Sequence, residues 1–488
     1  MSETKDTEAK KDAPRPTPAE RTAVTYHETT IGGRRLRYTA TAGTMHLKTS
    51  DGEPRASVFY VALTLDGVED AAKRPLTFAF NGGPGSSAVW LQLGAFGPRR
   101  VDLPDTVDPP PPPYRLVDNA FGLLDQTDLV FIDPVETGFS KPVGETKGEA
   151  FLSVKSDVDS IAEFVRRYLS RNHRWNSPRF LAGESYGTTR AAALAMTLQE
   201  QGVVLNGLVL LSLALDFQTF IFEVGNELPY VLYLPSYAAV AWYHDRLPEK
   251  PADLHAFLAE VRRFAIETYA PALLRGSALD AETKRTIAGQ LARYTGLDAT
   301  EIEQLDLRIE YMRFAKTLLR RPGWSVGRLD ARYVGLDDDF DHRRAQRDPS
   351  FDAPLGPYAA LINDYLRRVL GFENDGEYEV INLVANETWD WSDKVRMGYV
   401  NTGEHLRRAM IANPHLKVVV LNGLFDLATP FFASEYTADH LGVDPARRAN
   451  ITLRYYEAGH MMYFHPPSLK QMRDDLVVFY TQAMGHKE

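Results

Sequence analysis

The stretch Arg179-Phe180-Leu181-Ala182-Gly183-Glu184-Ser185-Tyr186-Gly187 decides how the rest of this chain reads. Arg179 to Ala182 is a short, mostly apolar run of the kind that forms a buried strand. An Ala-rich run from Thr188 to Gln199 follows with apolar residues at helical spacing, and it closes at Gly202, the usual place for a helix C-terminus. Gly-x-Ser-x-Gly between a strand and a helix is the pattern of a nucleophile elbow. The serine sits on a strained turn, so its oxygen projects clear of the sheet. The flanking glycines let strand and helix backbones approach closely, and the helix N-terminus aims N–H dipoles at developing negative charge. Ser185 is therefore the predicted nucleophile.

Similar apolar runs recur on either side. Leu76–Phe80 precedes Asn81-Gly82-Gly83, and Leu129–Ile132 precedes Asp133-Pro134. Gly207–Ser212, Lys417–Leu421 and Leu453–Tyr456 follow later. Runs without polar alternation suit strands buried on both faces of a parallel sheet. Arg35–Ala40 and Ala56–Leu63, bounded by Gly and Asp turn signals, predict an antiparallel entry to that sheet. A helical pattern through Val154, Val158, Ile161, Val165 and Leu169 alternates with the strands, which points to an α/β fold.

From Phe217 to Tyr378 the buried-strand runs all but stop. Leu254, Phe257, Leu258 and Val261 mark one amphipathic helix, Ile287, Leu291 and Tyr294 another, and Leu307–Leu319 a third. The predicted organisation is a polar tail over 1–25, a first core part over 26–216, a mainly helical lid insertion over 217–395, and a second core part over 396–488. Asp337-Asp338-Asp339-Phe340-Asp341 lacks the ligand spacing of a calcium loop and reads as a solvated loop.

Composition sets outer limits. With 65 acidic against 55 basic side chains the net charge is −10, which argues against a general nucleic-acid binder. The absence of cysteine excludes disulfides, thiolate chemistry and Cys-based metal sites. No run approaches the roughly 18–20 apolar residues of a membrane span, and the N-terminus lacks the apolar core of a signal peptide. The expected location is cytoplasmic, with periplasm or secretion as the alternatives.

A serine hydroxyl needs a base, and on this fold the partners follow in the order Ser, acid, His. Asp426 stands just past the Lys417–Leu421 run, and His460 just past the last one. Of the 12 histidines, His465 is the nearest rival, but it precedes Pro466-Pro467 and does not end a strand. Asp439 and Asp444 follow no apolar run. The Gly-rich turn Asn81–Gly85 lies where an oxyanion loop belongs. Gly82 and Gly83 permit close backbone approach, and Tyr186 supplies the second N–H. No Lys-Ser/Thr follows, so a phosphate-binding loop is not indicated.

Together, Asn81-Gly82-Gly83-Pro84-Gly85, Asp133-Pro134 with Gly138-Phe139-Ser140, Gly183–Gly187, Asn422-Gly423 with Asp426, and Ala458-Gly459-His460-Met461 resemble the serine carboxypeptidase family, in its motif order, from Arg37 to Tyr480. The resemblance implies an α/β-hydrolase fold, a mostly parallel sheet with helices on both faces and a helical lid. It implies a Ser185–Asp426–His460 triad, an oxyanion hole from Gly83 and Tyr186, and a site for the substrate carboxylate built from Asn81, Gly82 and Glu184. Glu184 serves there only when protonated, because two carboxylates do not both ionise cheaply in one site. Three positions depart from the family: Ser86 replaces a cysteine, Thr188 a smaller residue, and Ala95 the second glutamate of the carboxylate clamp. Arg99, Arg100 and Arg190 are the cations nearest in sequence that could compensate.

The expectation is a serine-type carboxypeptidase that releases C-terminal amino acids through an acyl-enzyme, with no metal or cofactor implied. Its partner is a peptide with a free C-terminus; nucleic acid and membrane insertion are not expected, and a homodimer is left open. The alternatives are an esterase or acyltransferase using the same residues and, further off, a non-catalytic binding protein of the same fold.

Overall fold

The computed structural model describes residues 17–104, 107–108, 110–336, 348–392 and 398–485. The acidic run Asp337–Asp341 lies outside them. Nine strands run through one sheet: β1 (Thr22–Ile31), β2 (Arg34–Lys48), β3 (Pro54–Leu65), β4 (Leu76–Phe80), β5 (Asp128–Ile132), β6 (Arg179–Glu184), β7 (Gly207–Leu211), β8 (Lys417–Gly423) and β9 (Ile451–Tyr456). Their spatial order is β1-β2-β3-β5-β4-β6-β7-β8-β9, with the short strand Lys141–Pro142 pairing to β3 off that path. β1 to β3 are antiparallel, β3 meets β5 antiparallel, and from β5 to β9 every pairing is parallel. Every residue of β4, β5 and β7 is buried, as their unbroken apolar runs require.

Structure begins earlier than the sequence suggests. The 25-residue tail is too long, because β1 starts at Thr22 and pairs along its whole length, from Thr22 with Gly43 to Ile31 with Arg34. The signal was a polar, Thr-rich alternation whose inward residues Ala23, Thr25 and His27 are only half-buried, with Thr29 and Ile31 buried at its end, so it carried little hydrophobic contrast.

The principal helices are α1 (Val154–Arg171), α2 (Tyr186–Glu200), α3 (Leu228–Tyr243), α4 (Leu254–Phe264), α5 (Ala281–Thr295), α6 (Pro349–Asp364), α7 (Gly403–Ala412) and α8 (Pro466–Ala483). α1, α2 and α7 cover one sheet face through Ile161, Val165, Leu194, Leu198 and Leu406. α8 covers the other through Leu469, Met472 and Leu476.

The long insertion divides in two. α3, α4 and α5 form a core of their own around Tyr237, Leu258, Val261 and Leu291, which also takes in Phe425 and Phe431 from the chain after β8. Tyr358, Tyr365, Phe372 and Tyr378 instead join the sheet-face core, where Phe372 meets Phe59 with ring centroids 4.9 Å apart. The second piece thus packs as part of the main body. Among the described residues no helix is long and apolar enough to cross a membrane.

Candidate active site

Ser185 joins β6 to α2 with φ 59° and ψ −128°, a strained conformation for a residue bearing a Cβ. Its N–H donates to the carbonyl oxygen of Leu211 at 2.9 Å, which ties the elbow to the end of β7. The serine is half-buried, whereas Glu184, Asp426 and His460 are buried. The turn survives because its flanks are glycine. A Cβ on Gly183 would lie 2.2 Å from the carbonyl oxygen of Gly187. A Cβ on Gly82 would lie 2.5 Å from the nitrogen of Tyr186, so the Gly-rich turn rests directly on the elbow backbone.

That turn is closed by Ser86 N–H donating to the Gly82 carbonyl oxygen at 3.0 Å, which leaves the Gly83 N–H outside the turn's own bond. Gly83 itself has φ 102°, which suits a glycine. The turn and the elbow are held together from below. Arg190 on α2, fully buried, donates to the Asn81 carbonyl oxygen at 2.7 Å and to Asp157 on α1 at 2.8 Å. Tyr186 Oη donates to the same Asp157 oxygen at 3.0 Å. Arg190 is therefore a support beneath the turn, not a cation facing substrate. Arg99 pairs with Asp118 on the surface at 2.9 Å. Asp157 escaped notice in the sequence, although a charged residue within the apolar stripe Val154–Val158–Ile161 was a readable signal.

Asp426 is fully buried and its oxygens are fully engaged. Oδ1 accepts from the Ala428 and Thr429 N–H groups at 2.7 and 3.0 Å, and Oδ2 accepts from Thr429 Oγ1 at 2.8 Å. Oδ2 also lies 2.7 Å from His460 Nδ1, which places the imidazole proton on Nδ1 and leaves Nε2 as the acceptor. The two loops meet because neither has a side chain at the contact: a Cβ on Gly423 would lie 2.0 Å from the Gly459 carbonyl oxygen. His460 is further fixed through its backbone, its N–H donating to Leu329 at 2.6 Å and its carbonyl accepting from Ser212 Oγ at 2.7 Å. Thr429, Ser212 and the segment around Leu329 are supports that sequence reasoning did not identify. His465 bonds Ser468 at the start of α8, and Asp439 and Asp444 pair with Arg448 and Arg447 on the surface.

Burial alone would depress the His460 imidazole, but the charge and hydrogen bond of Asp426 prevail, assisted by Glu184, and its pKa is raised above the ordinary value. Glu184 accepts from Asn81 Nδ2 at 2.9 Å through Oε1. Burial pushes its carboxyl up to about 7, against the opposing pull of His460 and of the neighbouring Tyr463 hydroxyl and Asn81 amide. Ala95 lies in the apolar core, and its carbonyl oxygen accepts from Asn119 at 2.9 Å, so that position supplies no acid.

Residues 36–216 match the family model described as serine carboxypeptidase, a span that includes the Gly-rich turn and the elbow but ends before Asp426 and His460. The fold is similar to that of Kex1, a prohormone-processing carboxypeptidase from Saccharomyces cerevisiae, at 16% identity and TM-score 0.57, covering 91% of each chain. A more distant structural neighbour is a proline iminopeptidase from Mycobacterium smegmatis, at 14% identity and TM-score 0.39, covering 90% of this chain and 98% of that one. No curated protein sequence matches the chain.

Proposed function

We propose that this chain, whose residues 36–216 match the serine carboxypeptidase family model, releases the last amino acid of peptides through an acyl-enzyme on Ser185. Ser185 Oγ attacks the final peptide carbonyl as its proton passes to His460 Nε2. The oxyanion forms against the N–H groups of Gly83 and Tyr186, at the N-terminus of α2. His460 then protonates the leaving amino group and the C–N bond breaks. Water, deprotonated by His460, attacks the acyl-enzyme ester and frees Ser185. Asp426 keeps the imidazole in the required tautomer and stabilises its cation, while its own lone pairs stay saturated by Ala428 and Thr429.

One observation carries the exopeptidase reading: a buried carboxyl, bonded to Asn81 and raised to about 7, adjoins the nucleophile. An esterase has no need of it. Protonated, Glu184 donates to a terminal carboxylate; ionised, it repels one. The second reading, an esterase or acyltransferase, draws on the alanine at position 95.

Cleavage of a blocked dipeptide with a free C-terminus, compared with its C-terminal amide, separates the two. Strong preference for the free acid is expected, and equal rates would sink the carboxypeptidase reading. Fluorophosphonate labelling is expected to vanish in Ser185→Ala and persist in Ser87→Ala, since Ser87 is buried and bonded to the Val380 carbonyl.

A further inference from the structure

With no glutamate at position 95, Glu184 and Asn81 are left without the usual second acid of the clamp. Two phenols occupy the space over the adjoining turn. A Cβ on Gly94 would lie 2.6 Å from Tyr358 Oη and 2.6 Å from Cε2 of Tyr463. Tyr463 follows His460 by three residues on the short turn Met462–Phe464, with its ring edge-on to Phe464 at 5.1 Å. Tyr463 is 3% exposed and Glu184 4%.

Both end in polar atoms that face each other without a well-formed hydrogen bond. Among the described residues neither Tyr463 Oη nor Glu184 Oε2 makes a hydrogen bond by normal geometry, while Glu184 Oε1 is taken by Asn81. The two groups are close enough to bear on each other's ionisation. A buried polar group left unsatisfied costs about 1–3 kcal/mol, so two neighbouring ones call for an explanation. A ligand with two acceptor oxygens satisfies both at once.

We infer that Tyr463 is a substrate-binding residue of this site, donating its hydroxyl to the terminal carboxylate beside protonated Glu184, in the role left vacant by Ala95. The inference rests on the carboxypeptidase reading. A phenol does this work differently from a carboxyl, because it is a donor without first taking up a proton. Burial holds the Tyr463 hydroxyl well above its ordinary pKa, so it stays protonated throughout the working range. The clamp then has one titrating member, Glu184, faced by His460, Asp426, Tyr463 and Tyr358.

Tyr463→Phe removes only the oxygen. Loss of one hydrogen bond to a charged group predicts about a ten-fold or greater fall in kcat/KM for a blocked dipeptide with a free C-terminus, chiefly through KM. The matching amide and a neutral ester are expected to keep their rates within about two-fold, with rates counted per fluorophosphonate-titrated site so that misfolded protein does not contribute. If the wild type prefers the free acid and Tyr463→Phe keeps that preference undiminished, the inference is overturned. Equal losses on acid, amide and ester would make Tyr463 a structural residue and overturn it too. Absence of any preference in the wild type would remove the parent reading, and this one with it.

Discussion

In the proposed reaction Ser185 owes its reactivity to position, and its partners owe theirs to burial. That reaction needs His460 neutral to accept the serine proton and Glu184 protonated to receive a carboxylate. The His460 pKa is raised by Asp426 and that of Glu184 stands at about 7, so the two requirements pull in opposite directions of pH. Because the groups interact, the profile belongs to the pair and not to either residue. A neutral ester needs only the first condition, so its kcat/KM is expected to rise with pH and then level off. A peptide with a free C-terminus needs both, so its kcat/KM is expected to be bell-shaped and to fall above about pH 7. Profiles of the two substrates on one preparation check this; an ester and a peptide that fall together in alkali would exclude Glu184 as the group responsible.

Among the elements, loop contacts without side chains determine where the reacting groups lie. Gly82 touches the elbow backbone and Gly423 touches Gly459, so one contact seats the early turn on the elbow and the other joins the two late loops, while Ser212 at the end of β7 ties the His460 carbonyl to the elbow side. Gly82→Ala would force a methyl against the Tyr186 and Gly187 nitrogens at 2.5 and 2.7 Å, where backbone has little room to yield. A loss of about 1–3 kcal/mol or more is expected, together with a marked drop in ester turnover, measured by urea unfolding and by rate per titrated site. Gly202 is the contrast. It has φ 79° but nothing within 4 Å, so Gly202→Ala is expected to cost about 1–2 kcal/mol of backbone strain and leave turnover unchanged. Equal effects of the two substitutions on turnover would mean that the contact is not what shapes the site.

For the molecule as a whole, several buried acids make stability depend on pH in one direction. Burial raises Asp133 to about 7, although Ala88 N–H and Tyr378 Oη donate to it, and Glu184 behaves alike. An acid whose folded pKa lies above its unfolded value near 4 binds more protons when folded, so its stabilising contribution is present at low pH and lost as pH rises through about 7. The raised imidazole of His460 works the same way, being lost as pH rises past its folded pKa. Tm is therefore expected to be lower at pH 8.5 than at pH 6, and Asp133→Asn to reduce the difference. A Tm that rises across that interval in the wild type would contradict this.

The sequence by itself determined the sheet strands from β4 to β9, the elbow and the order of Ser185, Asp426 and His460. These are local patterns: unbroken apolar runs, turn residues at their ends, and a serine between glycines. Where contrast was weak, as in the half-buried alternation of β1, the element was lost in the tail. Only the tertiary structure decided what lies beneath and beside the site. Asp157 and Arg190 are 33 residues apart in sequence, and their pairing under Asn81 depends on α1 and α2 packing side by side. Likewise, no local pattern shows that the region from α6 to Tyr378 packs on the sheet while α3 to α5 do not. The placement of Tyr463 beside Glu184 is of the same kind. It sets a residue from the last loop against one from the elbow, over a turn that carries no acid, and burial rather than sequence neighbourhood makes their unpaired oxygens significant.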